Sequence, residues 1–311
     1  MYTVHKVQFT NKGYKQVNGL KIKAMSKVNL GLDVIRRRED GYHEVRMIMQ
    51  TLNLCDELTI KKREDDSICI SCNIEGLEVD ENNLIYKAAK KLMDKTGIVA
   101  GLDIYLEKNI PIAAGMAGGS TDAAATLVGV NELLDMGLSV DELKAIGVTI
   151  GADVPYCIEG GTQLSEGIGE ILTKLKPVPQ CYVLVAKPHV GVSTKYVYEN
   201  LHVDTILRHP DIDAMLEGIE NSYLYGIADN MENILENVTE NKYPVIRMLK
   251  DIMLEEGAIN SLMSGSGPTV FGLFEDKKLA ERALERVNAT GEVSQACVTT
   301  MSDRTCVIEK L

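Results

Sequence analysis

Four short stretches carry side chains that could act together. The first is PIAAGMAGGSTDAAATLVGVNELL at 111–134. Gly115, Gly118 and Gly119 let the backbone turn tightly and bring its N–H groups near a ligand. A helix beginning at about Ser120 adds unpaired N–H donors and the positive end of its dipole. Together these make an anion site suited to phosphate, with hydroxyls from Ser120 and Thr121 at the helix mouth. A glycine turn ahead of a core helix has the same composition.

The second stretch is GADVP, holding Asp153. Gly151 permits a sharp turn, and Pro155 biases Val154 towards extended geometry, which sets the carboxylate on a defined loop. An ionised Asp beside a bound alcohol orients it and takes its proton during phosphoryl transfer. An Asx-turn, with Asp153 bonded to its own backbone, fits equally well. Third is Lys27, on an otherwise apolar stretch with Val28, Leu30 and Leu32. An inward Lys needs an anionic or hydroxyl partner, for which Asp153 is the candidate, whereas a solvent-facing Lys needs none. Fourth, Tyr42 and His43 beside an Asp-Gly pair offer a planar surface and a hydrogen-bonding ring to a nucleobase, or an anchor to the loop itself. GSG at 265–267 is either a hairpin turn or a second backbone surface facing the glycine loop.

The elements that must position these groups alternate strands and helices. LKIKAMSKVNLGLDV (20–34) has strand periodicity and puts Lys27 and Asn29 on one face. MIMQTLNL and DELTIKK continue as strand, and 84–96 is an amphipathic helix. GLDIYLEKNI is a strand leading into the glycine loop, and Ser139 caps a short helix, VDELKAIG. KPVPQ (176–180) marks a boundary between domains spanning 1–175 and 176–311. Beyond it come strand CYVLVAK, a largely helical region, a helix at 243–257, strands INSLMS and TVFGLF around GSG, a helix at 276–289, and final strands near 293–300 and 304–309. This order suggests a smaller sheet covered by helices on one side.

Composition narrows the function. The 311 residues are 45% hydrophobic and 25% charged, with a formal net charge of -12. Such a balance argues for a globular protein and against a general nucleic-acid partner. No run approaches the roughly 20 apolar residues of a membrane span. The start, with Lys6, Lys12 and Lys15, lacks the apolar core of a signal peptide, so the cytoplasm is the expected location. Cys69 and Cys72 form a C-x-x-C inside the alternating SICISCNI, which reads as strand rather than as a redox or zinc site. Neither G-x-x-x-x-G-K-[ST] nor the dinucleotide G-x-G-x-x-G occurs.

Taken together, the segments resemble the GHMP small-molecule kinases, named for galactokinase, homoserine kinase, mevalonate kinase and phosphomevalonate kinase. SKVNLGL is similar to that family's first motif, PIAAGMAGGSTDAAA to its second and LMSGSGPTVFGLF to its third. REDGYHEV, MIMQTLNL, DENNLIYKAA, GADVPYCIEGG and GIGE look more narrowly like the branch that phosphorylates a cytidine-diphosphate-linked polyol. The similarity spans about residues 20–275.

The resemblance implies an α+β, two-domain GHMP kinase fold. Its N-terminal ribosomal-protein-S5-like domain would bind the nucleotide, and a C-terminal ferredoxin-like domain would complete the cleft. It further implies ATP and Mg²⁺ as cofactors and γ-phosphoryl transfer to the polyol 2-hydroxyl in isoprenoid precursor synthesis. The alternatives are a kinase for another small alcohol of homoserine or mevalonate type, or a silent nucleotide-binding protein. By the same resemblance, Lys27 and Asp153 match the catalytic pair, and Asn29, Tyr42 and His43 match substrate contacts. Pro111, Ala113, Ala114, Gly115, Ala117, Gly118, Gly119, Ser120 and Thr121 match the ATP phosphate loop. The protein ligands of Mg²⁺ stay open, no membrane or nucleic-acid partner is expected, and a monomer or weak homodimer is. Two departures stand out: Ser26 replaces a common Ala, and the extension before Leu20 is longer than usual.

Overall fold

The computed structural model describes residues 18–311; of the extension before Leu20 only Asn18 and Gly19 fall within it, and the rest lies outside the described residues. β1 (Gly19–Arg37) and β2 (His43–Arg63) form a long antiparallel hairpin around the Asp-Gly turn, so MIMQTLNL and DELTIKK belong to one strand. β3 (Ile68–Cys72) pairs in parallel with β4 (Gly101–Glu107), which pairs antiparallel with β2. Cys69 and Cys72 thus lie in strand with free thiols. β5 (Thr162–Glu166) and β6 (Ile171–Lys174) extend this sheet from the first half of β2.

One face of the sheet is covered by α1 (Leu84–Thr96), α2 (Gly118–Leu133), α3 (Val140–Gly147) and α4 (Val154–Glu159). Period-2 alternation points Leu20, Ile22, Ala24, Leu58, Ile60, Leu102, Ile104 and Leu106 into a core shared with Ile85, Ala88, Ala89 and Leu92 of α1. α2 is apolar on nearly every side and correspondingly buried. It approaches β1 closely because Gly129 has no side chain: a Cβ there would lie 2.0 Å from Ile22 Cδ1. α3 begins with a reciprocal capping box between Ser139 and Glu142.

The second lobe is an antiparallel sheet of β7 (Tyr182–Pro188), β8 (Asn260–Met263), β9 (Val270–Phe274) and β10 (Val293–Thr300), in the spatial order β10-β7-β9-β8. That is the ferredoxin-like order. Between β7 and β8 run α5 (Thr194–Asn200), α6 (Ile212–Glu220), α7 (Leu224–Asp229), α8 (Glu236–Lys242) and α9 (Val245–Glu255), and α10 (Lys277–Ala289) joins β9 to β10. Leu184, Ala186 and Phe274 pack with Leu249, Met253, Ala283 and Val287 of α9 and α10. The opposite face, with Val183, Val185, Phe271 and Leu273, packs on Val28, Leu30, Ile48 and Leu52 of the first lobe. Ala114 and Met116 of the glycine loop join this second core.

The last strand departs from the predicted arrangement. β11 (Val307–Lys310) pairs with β1 and not with the smaller sheet. The first four residues of β1 after Gly19 leave an open edge, and β11 closes it with Ile308 packed on the first core. Among the described residues no helix is long and apolar enough to cross a membrane.

Candidate active site

The register of β1 against β2 breaks between Met25 and Lys27. Such breaks re-aim the side chains that follow. Lys27 and Asn29 then share a face, and Lys27 is the inward kind, with 5% of its surface exposed. Its ammonium donates to Asn29 Oδ1 at 2.8 Å and stands 3.8 Å from Asp153 Oδ2. Its backbone N–H donates to the carbonyl of Met116 in the glycine loop, at 3.3 Å. Ser26 is fully buried and its hydroxyl has no partner, so an Ala would fit the same space.

Asp153 occupies the N-cap of α4. Val154 opens that helix, which corrects the extended geometry expected from Pro155. Proline tolerates the first turn, where no intrahelical acceptor is needed for its missing N–H. Side-chain bonds on the later part of α4 hold the helix against the pre-proline bias. Tyr156 is wholly buried and donates its hydroxyl to the Gly161 carbonyl at 2.7 Å. Thr305, in the tail leading to β11, brings its hydroxyl within 2.9 Å of the carbonyls of both Cys157 and Ile158. The Asp153 side chain makes no capping bond, so the Asx-turn is not formed and the carboxylate is left to face Lys27.

The glycine loop turns with more strain than its glycines alone require. Ala113 and Ala117 adopt left-handed φ values of 51° and 58°, beside Gly115 at 73°. For alanine this costs about 1–2 kcal/mol per residue. α2 starts at Gly118, two residues before the predicted start, and no side chain caps it. Its first N–H groups therefore point outward from the loop without a side-chain acceptor. Thr121 is buried and donates its hydroxyl to the Met25 carbonyl at 2.7 Å, tying the loop to β1. Ser120 instead lines the cleft that contains Asp153. The 265–267 turn serves in both of its possible ways: it links β8 to β9 and it meets the glycine loop, where Ser264 donates to the Gly115 carbonyl at 3.0 Å.

Two cavities flank this loop. The larger, about 980 Å³, is lined by Tyr42, His43, Ser120, Asp153, Thr194 and Tyr198 among others. The smaller, about 250 Å³, has Leu84, Lys108, Pro111, Ala113, Gly118 and Gly119 in its walls. In the larger one the rings of His43 and Tyr198 lie 5.1 Å apart at 39°. The Tyr198 hydroxyl is pushed up to about 12 by burial and by the charge of Asp153. Tyr42 is 61% exposed, and its loop is held by bonds from the Tyr42 N–H to Asp40 and from the Arg38 N–H to the Tyr42 carbonyl.

Beneath the loop lies a cluster that motif reading does not reveal. Lys108 at the end of β4 donates to Asp56 of β2 at 2.5 Å and to Asp122 of α2 at 2.9 Å. Asp56 also accepts the N–H groups of Asn109 and Ile110. The remaining oxygen of Asp122 is buried without a partner. Burial pushes the Asp122 carboxyl up to about 8; Lys108 opposes this and Asp56 adds to it. The one sequence signal is a carboxylate set within the apolar run of α2. Tyr198 gives less warning still, since only packing of the two lobes brings it to His43.

The model for the N-terminal domain of GHMP kinases matches residues 83–161, and that for their C-terminal domain matches 207–293. Fold and loop thus define a chain of the GHMP kinase class. A 4-diphosphocytidyl-2-C-methyl-D-erythritol kinase of Lachnoclostridium phytofermentans is 53% identical over 264 residues, covering 85% of this chain and 91% of its own. A crystal structure of 4-(cytidine 5'-diphospho)-2C-methyl-D-erythritol kinase matches with a TM-score of 0.77 at 32% identity, over 91% of this chain and 99% of that one. The homoserine kinase of Cytophaga hutchinsonii, at 20% identity, shares the fold with a TM-score of 0.78 over 98% of this chain and 100% of its own. The chain belongs to the family of 4-diphosphocytidyl-2-C-methyl-D-erythritol kinases.

Proposed function

We propose that this protein transfers the γ-phosphoryl group of ATP to the 2-hydroxyl of 4-diphosphocytidyl-2-C-methyl-D-erythritol, in non-mevalonate isoprenoid precursor biosynthesis. The observation that carries the reading is the Lys27–Asp153 pair, whose carboxylate opens onto the same cleft as Ser120 of the uncapped helix and the His43–Tyr198 rings. Asp153 aligns the 2-hydroxyl and accepts its proton. Lys27, held by Asn29, supplies fixed positive charge facing the transferring phosphoryl oxygens. The N–H groups of 115–120 cradle the ATP phosphates, and the small cavity beyond Gly118 receives the nucleoside end. Tyr42, His43 and Tyr198 receive cytosine by stacking and edge contacts.

Mg²⁺ belongs to this reading as the partner of the ATP phosphates, whose negative charge it neutralises when bound. Among the described residues no three His, Cys, Asp or Glu side chains converge to hold a metal. The Ser120 hydroxyl and Asp153 carboxylate are the cleft groups that would meet an ion arriving with the nucleotide. We place the lobe division at 176–180. A monomer or weak homodimer belongs to the same proposal. The test is a panel measuring ADP release with the cytidylated polyol, homoserine and mevalonate. Turnover of the first alone is expected; turnover of either of the others without the first rejects the reading, and ATP binding without transfer to any of them marks a silent nucleotide-binding protein.

A further inference from the structure

Three consecutive arginines stand where β1 ends, Arg36 and Arg37 within it and Arg38 just beyond, and their environments differ. Residues directly opposite in an antiparallel pair share a face of the sheet, and successive residues alternate faces. Arg36 lies opposite Glu44 and forms an ion pair with it. Arg38 turns to Asp40, 2.9 Å away. Arg37 lies opposite His43 and so shares its face, lining the large cleft. Among the described residues no carboxylate comes within ion-pair distance of Arg37. Its charge reaches His43, whose imidazole is held below its ordinary range by burial first and by Arg37 second.

The rest of the cleft is poor in available cations. Its lining holds three carboxylates, Asp153, Glu199 and Asp204, and one other Lys or Arg, Lys195. Lys195 is itself 3.8 Å from Glu199. A substrate with a diphosphate bridge entering so acidic a chain needs a local counter-charge. With cytosine at His43 and Tyr198 and the reacting hydroxyl at Asp153, the bridge falls between them, and Arg37 stands beside the base end. A guanidinium free of other partners can bind such a bridge through two parallel N–H bonds.

We propose that Arg37 binds the diphosphate bridge of the cytidine-linked substrate and so selects nucleotide-linked alcohols over free ones. The inference rests on the function proposed above and adds a residue to it. Calorimetry with cytidine and with cytidine diphosphate on the wild type, Arg37→Gln and Arg37→Lys tests it. Arg37 is exposed, so its variants are expected to fold. Arg37→Gln should weaken cytidine diphosphate about 10- to 100-fold, as for loss of a charge-assisted hydrogen bond. Cytidine binding and the KM for ATP should stay unchanged, and Arg37→Lys should recover part of the loss. Unchanged binding of cytidine diphosphate by Arg37→Gln, or equal weakening of both ligands, overturns the role of Arg37 while leaving the activity in place. A wild type that binds neither ligand overturns the functional reading itself, and this inference with it.

Discussion

A Cβ placed on Gly115 would lie 2.2 Å from the carbonyl oxygen of Ser264, so the glycine loop of the first lobe meets the turn of the second as backbone against backbone. Gly115 also has a φ of +73°, a conformation unfavourable for other residues. Gly115→Ala should therefore destabilise the protein by about 2 kcal/mol or more, read as a lower urea midpoint. Gly119→Val is the contrasting variant, because a Cβ there meets only the end of Leu84, at 3.4 Å. It should fold normally and lose ATP affinity. Wild-type ATP binding by folded Gly119→Val would return the loop to a purely structural role.

Asp153→Asn keeps the shape of the side chain and removes its charge. The expected loss in kcat is about 10²–10⁴-fold, with modest changes in the affinity of either substrate. Lys27→Ala should also lower kcat. Because the two side chains stand 3.8 Å apart, the double variant should lose less than the product of the single losses. Steady-state kinetics on the three variants, each checked for folding, decide this. Near-wild-type kcat for Asp153→Asn would leave electrostatics and positioning as the source of catalysis.

Tyr198, brought to His43 by the packing of the lobes, tests the proposed recognition of the base. Stacking of a base on an aromatic ring is worth about 1–3 kcal/mol. Tyr198→Ala and Tyr42→Ala should each raise the KM of the cytidylated substrate roughly 5- to 150-fold, leaving that of ATP in place. Equal rises in both KM values would mean collapse of the cleft instead.

The buried Asp122 makes stability depend on pH. Its folded-state value, about 8, lies above the ordinary carboxyl value of 3.8. The native state thus holds a proton that the unfolded chain has already released, so this contribution is complete below about pH 4 and lost as pH rises through about 8. Urea unfolding of Asp122→Asn should show a flatter dependence between those limits than the wild type. Parallel curves for the two proteins would remove Asp122 as the source.

Much of the architecture is written locally. Alternation in 20–34, the amphipathic period of 84–96 and the Ser139–Glu142 box each depend on residues within a few positions of one another, and those elements form where periodicity places them. The turns at the glycine loop and before Tyr42 and His43 are legible for the same reason, each being a short run with its own backbone chemistry. The run around Asp153 instead points to an extended Val154, which the structure makes helical.

What the chain order could not decide is which side of each element is covered, and by what. Lys27 is buried because a break in register aims it inward, where the glycine loop and Asp153 at the start of α4 close over it. Val154 is helical because Tyr156 and Thr305 hold α4, and Thr305 arrives from about 150 residues downstream in a tail that returns to β1. Asp56, Lys108 and Asp122 come from three separate elements, and Tyr198 reaches His43 across the lobes. Local sequence sets backbone conformation and periodicity, whereas burial and long-range pairing are settled when distant surfaces compete to cover the same apolar face.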